Sequence, residues 1–355
     1  MTLDRHLEPT RCRLLLTLAL TTTHRCPIDL LCDKGCGAAL MNTKKRLLDV
    51  VSAMCTSLPS RSVTVKIRTG WSESDPSAHL LVPEIQKLSW TKQAKVAAIF
   101  VHGRSRLQRY HRLANWNYIA QVARSQNPAL PLVPIIGNGD IFSFSDWESH
   151  CALLERDLET LVAADEQQQQ QQQQQDQLDV GEAMGLASCA MIGRGALIKP
   201  WLPTEIKERR YLDISASERL DMLKRFCNYG MEHWGSDQQG INTTRRFLLE
   251  WLSFLHRYVP VALLEHSRGP QRINQRPPHY FGRCDLETLL ASNNSQDWVR
   301  ISEMLLGKVD EDFVFVAKHK TNSYAPPEQQ VRGAQDARDG PAEAAVEAED
   351  TLPEG

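Results

Sequence analysis

The sequence predicts an α/β chain of the (β/α)8 TIM-barrel class, present as the C-terminal half from the end of strand four to unit eight, with an all-helical C-terminal domain after it. Three observations predict it. Four short apolar segments each end in polar residues: VTVKIRTG at Lys66, IFVHGRSR at His102, LVPIIGNGD at Asn138 and CAMIGRG at Gly193. These tips are 36, 36 and 55 residues apart, and the long interval contains nine consecutive glutamines, Gln167 to Gln175. After Trp201 the strand-like segments stop and only helical periodicity remains.

Between the tips lie return helices. Lys44 to Met54 carries Leu47, Leu48, Val51 and Met54 at helical spacing, and His79 to Leu88 and Trp116 to Ala123 behave alike. Ser145 to Val162 opens on a Ser-x-x-Glu capping pattern, Ser145 with Glu148. The glutamine tract that follows has no apolar face to pack, so residues 165–178 read as a surface insertion. Ser215 and Glu218 form a second capping box, opening a helix through Leu220, Leu223 and Phe226 that ends near Gly235. Another helix is expected from about Asn242 to Val259, stopped by Pro260, with further helical patterning at Leu286 to Ala291 and Trp298 to Leu306. The domains so predicted are an atypical N-terminus at 1–25, a partial barrel at 26–211, a helical domain at 212–325 and a tail at 326–355.

Composition is that of an ordinary soluble protein, 42% hydrophobic and 24% charged. The tail from Pro326 holds eight acidic residues against two arginines, and so few apolar groups that it is expected to stay disordered. Nine cysteines at irregular spacing do not make a disulfide framework and favour a reducing compartment, cytoplasmic or nuclear. Leu14 to Leu20 is too short to span a membrane and is a poor signal peptide, with Asp4 and Glu8 in its leader. Cys26, Cys32 and Cys36 have a spacing that suggests zinc, but a closed site needs a fourth ligand and none follows at a suitable distance. No metal, membrane or obligate protein partner is expected.

The stretches CPIDLL, GCGAALM, TVKIRTG, VHGRSRLQRY, GNGDI and IGRGALIKPWLPTEIKE, with NYGMEHWGSD, TRRFLLEWLSFLHRYVP and QRINQRPPHY further on, resemble the tRNA-dihydrouridine synthases, in particular the eukaryotic type associated with position 47. The resemblance covers about residues 26 to 322. It implies an FMN-dependent reductase that uses NADPH or NADH to reduce the 5,6 double bond of a uridine in tRNA. It further implies that Lys66, His102, Asn138, Gly139, Asp140, Gly193 and Arg194 contact FMN, and that Cys26 is the proton donor.

The residues agree with that chemistry. Saturating uracil needs a hydride at C6, which only a cofactor supplies, and a proton at C5. A cysteine with an ordinary pKa near ~8.5 is mostly protonated at neutral pH and suits the second task. Cys26 lies 40 residues before Lys66, one pitch earlier, and therefore on the same rim. A cation at Lys66 suits the flavin edge that gains negative charge. Gly-rich tips at Asn138-Gly139-Asp140 and Gly193-Arg194-Gly195 suit a phosphate, because glycine lets backbone N–H groups approach. A lone histidine is more often structural, but His102 stands at a strand tip. For RNA, Arg104, Arg106, Arg109 and Arg112 alternate with Tyr110 and His111, and Arg245 and Arg246 head a second basic set.

Eight units at this pitch require about 290 residues, more than the stretch from Cys26 to Trp201 holds. The family's first strands are accordingly expected to be missing, and an open half barrel with bare edges is expected not to hold FMN by itself. Thr23-His24-Arg25 also stands where the family has Asn-x-Gly before Cys-Pro. The rival reading is an inactive tRNA-binding protein. A flavoenzyme acting on a small metabolite fits less well, because it gives the helical domain and the Arg104 to Arg112 segment nothing to do.

Overall fold

The computed structural model describes residues 32–57, 62–91, 96–152, 186–261, 263, 277, 280–310 and 313–317. Cys26, the glutamine tract and the acidic tail lie outside the described residues. The chain divides into two compact units, one running to Gly193 and one starting at Arg194. The expected boundary at 211/212 lies two short helices later.

The first unit is built on four strands, β1 (Val63–Arg68), β2 (Val96–His102), β3 (Ile135–Asn138) and β4 (Leu186–Met191). They pair in the order β1-β2-β3-β4, every neighbour parallel, so spatial order follows chain order without a reversal. Parallel neighbours need a crossover, which α2 (Ala78–Thr91) supplies between β1 and β2 and α3 (Trp116–Arg124) between β2 and β3. Upstream, α1 (Lys44–Ser57) buries Leu47, Val51 and Cys55, one residue per turn; burial also raises the Cys55 thiol pKa.

On β1 the residues facing the helices, Val63, Val65 and Ile67, are buried, whereas Thr64 and Lys66 on the other face are half-buried. The same alternation continues on β2, with Ile99 and Val101 buried and Phe100 and His102 half-buried. Gln86 of α2 is buried and binds both the N–H and the carbonyl of Asn127, which anchors the turn ahead of β3. Asn115 caps α3 by accepting from the Tyr118 N–H at 2.9 Å.

The helix at 144–152 starts differently from expectation. Ser143 Oγ accepts from the Asp146 N–H while Asp146 Oδ2 accepts from the Ser143 N–H, so the reciprocal cap is Ser143 with Asp146, two residues before the expected pair.

The second unit is helical among its described residues. Two short helices, α5 (Gly195–Ile198) and α6 (Leu202–Glu208), precede a pair of long ones, α7 (Ala216–Trp234) and α8 (Gln238–Leu255), and then α9 (Asp285–Ala291) and α10 (Ser295–Leu306); α4 denotes the helix at 144–152. Ser215 and Glu218 cap α7 as a complete box. Asp237 caps α8 four residues earlier than the expected start, accepting from the Gly240 N–H at 2.9 Å. Gly230 lets the two long helices touch: a methyl group there would lie 2.5 Å from Thr244 Cγ2. Leu223, Cys227, Leu248, Leu252, Trp298 and Ile301 form the core between them, and each large apolar side chain so buried contributes roughly 1.5–3 kcal/mol. No described helix is long and apolar enough to cross a membrane.

Candidate active site

The carboxyl ends of β1, β2 and β3 bring the predicted residues together. Register pairs His102 with Asn138 and Lys66 with Phe100, so Lys66, His102 and Asn138 share one face of the sheet. Lys66 Nζ donates to Asn138 Oδ1 at 2.8 Å, across the width of β2. Asn138 Nδ2 in turn donates to the Met191 carbonyl at 2.7 Å. One amide thus orients the Lys66 ammonium and ties the β3 tip to β4.

The chain turns sharply after Asn138, with Gly139 at φ +125° and Asp140 at φ +53°. Only glycine fits at 139: a methyl group would lie 2.6 Å from Ala114 Cβ as well as being strained. Asp140 holds the turn by accepting from Arg104 Nη2 through both oxygens, at 2.5 and 2.6 Å, and from the Ala114 N–H at 2.6 Å. Trp116 Nε1 donates to the Gly139 carbonyl at 3.0 Å, and His150 stacks on the Trp116 ring at 4.2 Å. Burial pulls the His150 pKa below the ordinary imidazole value, opposed by its bond to the Asp140 carbonyl.

The arrangement is a polar rim of one ammonium, one imidazole and one amide over a parallel sheet, backed by a buried ion pair. Such a rim suits a planar, polar ligand that takes negative charge.

Residues 25–157 match the family described as Dihydrouridine synthase (Dus). A rat protein named tRNA-dihydrouridine(47) synthase [NAD(P)(+)]-like is 51% identical over 299 residues, covering 84% of this chain and 40% of the relative. The human protein of the same name is 50% identical, covering 84% of this chain and 39% of its own length. A Cryptococcus neoformans protein named tRNA-dihydrouridine(47) synthase [NAD(P)(+)] is 46% identical over 86% of this chain and 38% of its own length. The chain belongs to the dihydrouridine synthase family. It spans about two fifths of the length of these relatives.

The other predicted residues fall into three groups. Cys26 lies outside the described residues. Gly193 is exposed, and a methyl group there would meet nothing within 4 Å, so space alone does not demand glycine. Arg194 directly precedes the four-residue α5 in the second unit.

The arginines divide sharply, and two depart from the expected RNA role. Arg104 is 1% exposed, with its guanidinium spent on Asp140, the Arg112 carbonyl and His102. Arg245 is 2% exposed and binds Ser302 Oγ and the carbonyls of Leu306 and Gly307, beneath the surface expected to carry it. Burial and internal hydrogen bonds remove both from any RNA surface; desolvation also lowers the Arg245 pKa. Arg106 lies over the Trp71 ring at 4.8 Å, and Arg109 takes a left-handed backbone at φ +44°. Arg112 is exposed and paired with Glu73, and Arg246 is exposed.

Sequence reasoning missed the supports. Trp116 and His150 brace the turn, and Arg68, buried beneath the rim, donates to the Ser105 carbonyl at 2.8 Å. It also missed an exposed stack in the second unit, Trp234 on Phe247 at 4.9 Å and 7°, with Tyr229 exposed on the same helix as Trp234. Large exposed aromatics late in one helix and mid-way in the next were the available signal.

Proposed function

We propose that this chain takes part in FMN-dependent reduction of a uridine in tRNA, at position 47, to 5,6-dihydrouridine with NADPH or NADH as reductant. The observation that carries the reading is the Lys66–Asn138 hydrogen bond on the rim beside His102, within sequence that matches the dihydrouridine synthases. On this reading the parallel sheet is a wall of a (β/α)8 barrel, whose chemistry gathers at the carboxyl ends of its strands.

The donor set fits FMN, and we take these residues to hold it, against the expectation from the strand count that an open half barrel would not. Lys66 offers a cation, Asn138 and His102 offer polar groups on the same face, and Gly139 brings backbone close to that face. When bound, FMN supplies the hydride for uracil C6 that no side chain can. Lys66, held by Asn138, places positive charge where negative charge accumulates. Asp140 acts through the turn it holds, as a positioning residue. Gly193 serves the phosphate. Cys26 holds the proton destined for uracil C5.

The tRNA side of the proposal rests on exposed cations and rings, not on the buried arginines. Arg246 and Arg112 engage phosphates, and the Trp234–Phe247 stack with Tyr229 suits unpaired bases, which lie against aromatic faces for roughly 1–3 kcal/mol each. The target uridine must leave its stack to reach the rim.

The test is incubation of the full chain with FMN, NADPH and a tRNA transcript bearing uridine 47, followed by nuclease digestion and mass spectrometry. A two-hydrogen gain at that nucleoside is expected, with Cys26→Ala slowing it by about 10²–10⁴-fold. Flavin and tRNA both bound with no mass gain refutes the reaction. A chain that retains tRNA without flavin matches an inert tRNA-binding protein instead.

A further inference from the structure

The buried Arg104 contacts the rim histidine as well as the turn. Its Nη1 lies 3.3 Å from His102 Nε2, in hydrogen-bonding geometry. A guanidinium has donors only, so Nε2 must accept and carries no proton. The imidazole proton then sits on Nδ1, at the other end of the ring.

Arg104 is in no position to turn away. Nη2 is held by both oxygens of Asp140, and Nε donates to the Arg112 carbonyl at 2.8 Å. The Tyr110 ring covers the guanidinium at 5.5 Å from its centroid. The ring of His102 is seated from the other side as well. A methyl group on Gly139 would lie 3.2 Å from His102 Cδ2 and 3.4 Å from Nε2, so that edge of the imidazole faces the turn that Asp140 holds. One buried ion pair therefore sets both the turn and the ring.

We propose that Arg104 is a positioning residue that fixes His102 as the neutral Nδ1–H tautomer, making it a hydrogen-bond donor at Nδ1 and removing it as a cation or as a base at Nε2. The rim then divides its labour. Lys66 carries the positive charge, and His102 is a neutral donor at Nδ1. Taking FMN as the ligand of this rim rests on the function proposed above, whereas the tautomer does not.

The experiment is nitrogen NMR of the full chain labelled with ¹⁵N-histidine, at neutral pH, with neither flavin nor tRNA added. His102→Asn assigns the signals by removing them. The expected spectrum has Nε2 in the unprotonated range and Nδ1 in the protonated range. Arg104→Lys keeps the charge but replaces a rigid fork with one mobile ammonium that cannot serve Asp140, the Arg112 carbonyl and His102 together. It is expected to give a mixture of both tautomers. A wild-type His102 that is charged, or protonated at Nε2, overturns the proposal even if the variant does not fold. A folded Arg104→Lys chain that keeps the pure Nδ1–H signature overturns the role of Arg104. Absence of reductase activity leaves both readouts untouched, so failure of the functional reading is distinguishable.

Discussion

Replacing Glu287 by glutamine removes one charge from the interior of the helical unit, and the structure sets the size of the effect. Glu287 and Arg219 are each 1% exposed and meet at 3.0 Å, with Glu287 also accepting from the backbone and guanidinium of Arg283. Arg283 is 45% exposed and turns to water at little cost. Arg219 has no such escape: among the described residues Nε and Nη1 have no hydrogen-bond partner, and the Tyr258 ring lies 5.0 Å from the guanidinium. Leaving a buried charge without its counter-ion costs about 3–5 kcal/mol. For a unit of this size each kcal/mol moves the midpoint by about 2–4 °C, so the expected fall in Tm is roughly 6–20 °C. Thermal unfolding followed by far-UV circular dichroism reads it. The double variant Arg219→Met with Glu287→Leu, which removes both charges at similar volume, is expected to recover most of the loss. The sign with pH is fixed too. Hydrogen bonds from Arg283 hold the Glu287 carboxyl below its ordinary range, so its stabilisation is complete above pH ~4.3 and fades as pH falls through the depressed value. That acid-side loss should be missing in Glu287→Gln. A single variant within ~1 kcal/mol of wild type, or a double variant as unstable as the single, refutes the reasoning.

Other outcomes follow from the same geometry. Gly137→Ala should destabilise the first unit by about 1–3 kcal/mol in urea unfolding, because its methyl group would lie 2.2 Å from a ring carbon of the buried Trp116. Lys66→Ala should weaken FMN retention, read by flavin absorbance of the purified chain against wild type, while Asn138→Ala should do the same by freeing the ammonium it holds. Arg246→Ala should lower the salt dependence of tRNA binding by about one unit of slope without shifting Tm. Arg245→Ala should do the reverse, since that side chain is a buried strut.

How much of this was legible beforehand varies by residue. The Lys66, His102 and Asn138 tips were readable because an apolar strand that ends abruptly in polar residues marks its own exit, and the parallel pairing then sets them side by side. The Ser215–Glu218 cap was readable for the same local reason. The cap of the helix at 144–152 was ambiguous, because Ser143 with Asp146 and Ser145 with Glu148 are overlapping versions of one pattern. Arg245 carried a signal that was passed over: it lies on the stripe of Leu248, Leu249 and Leu252, while Arg246, turned by one residue, leaves it. Arg104 carried none, since nothing within its segment distinguishes it from Arg106 or Arg112.

The sequence by itself determined the repeating strand tips, the helical second unit and the family, because periodicity, capping and motif spacing are written in residues close together in the chain. Only the tertiary structure decided which charges face inward. Arg104 finds Asp140 36 residues on, Arg219 finds Glu287 68 residues on, and Lys66 finds Asn138 72 residues on. A charge is tolerated away from water only where an opposite charge or a hydrogen-bond partner meets it. That partner is delivered by the fold, not by neighbours in sequence.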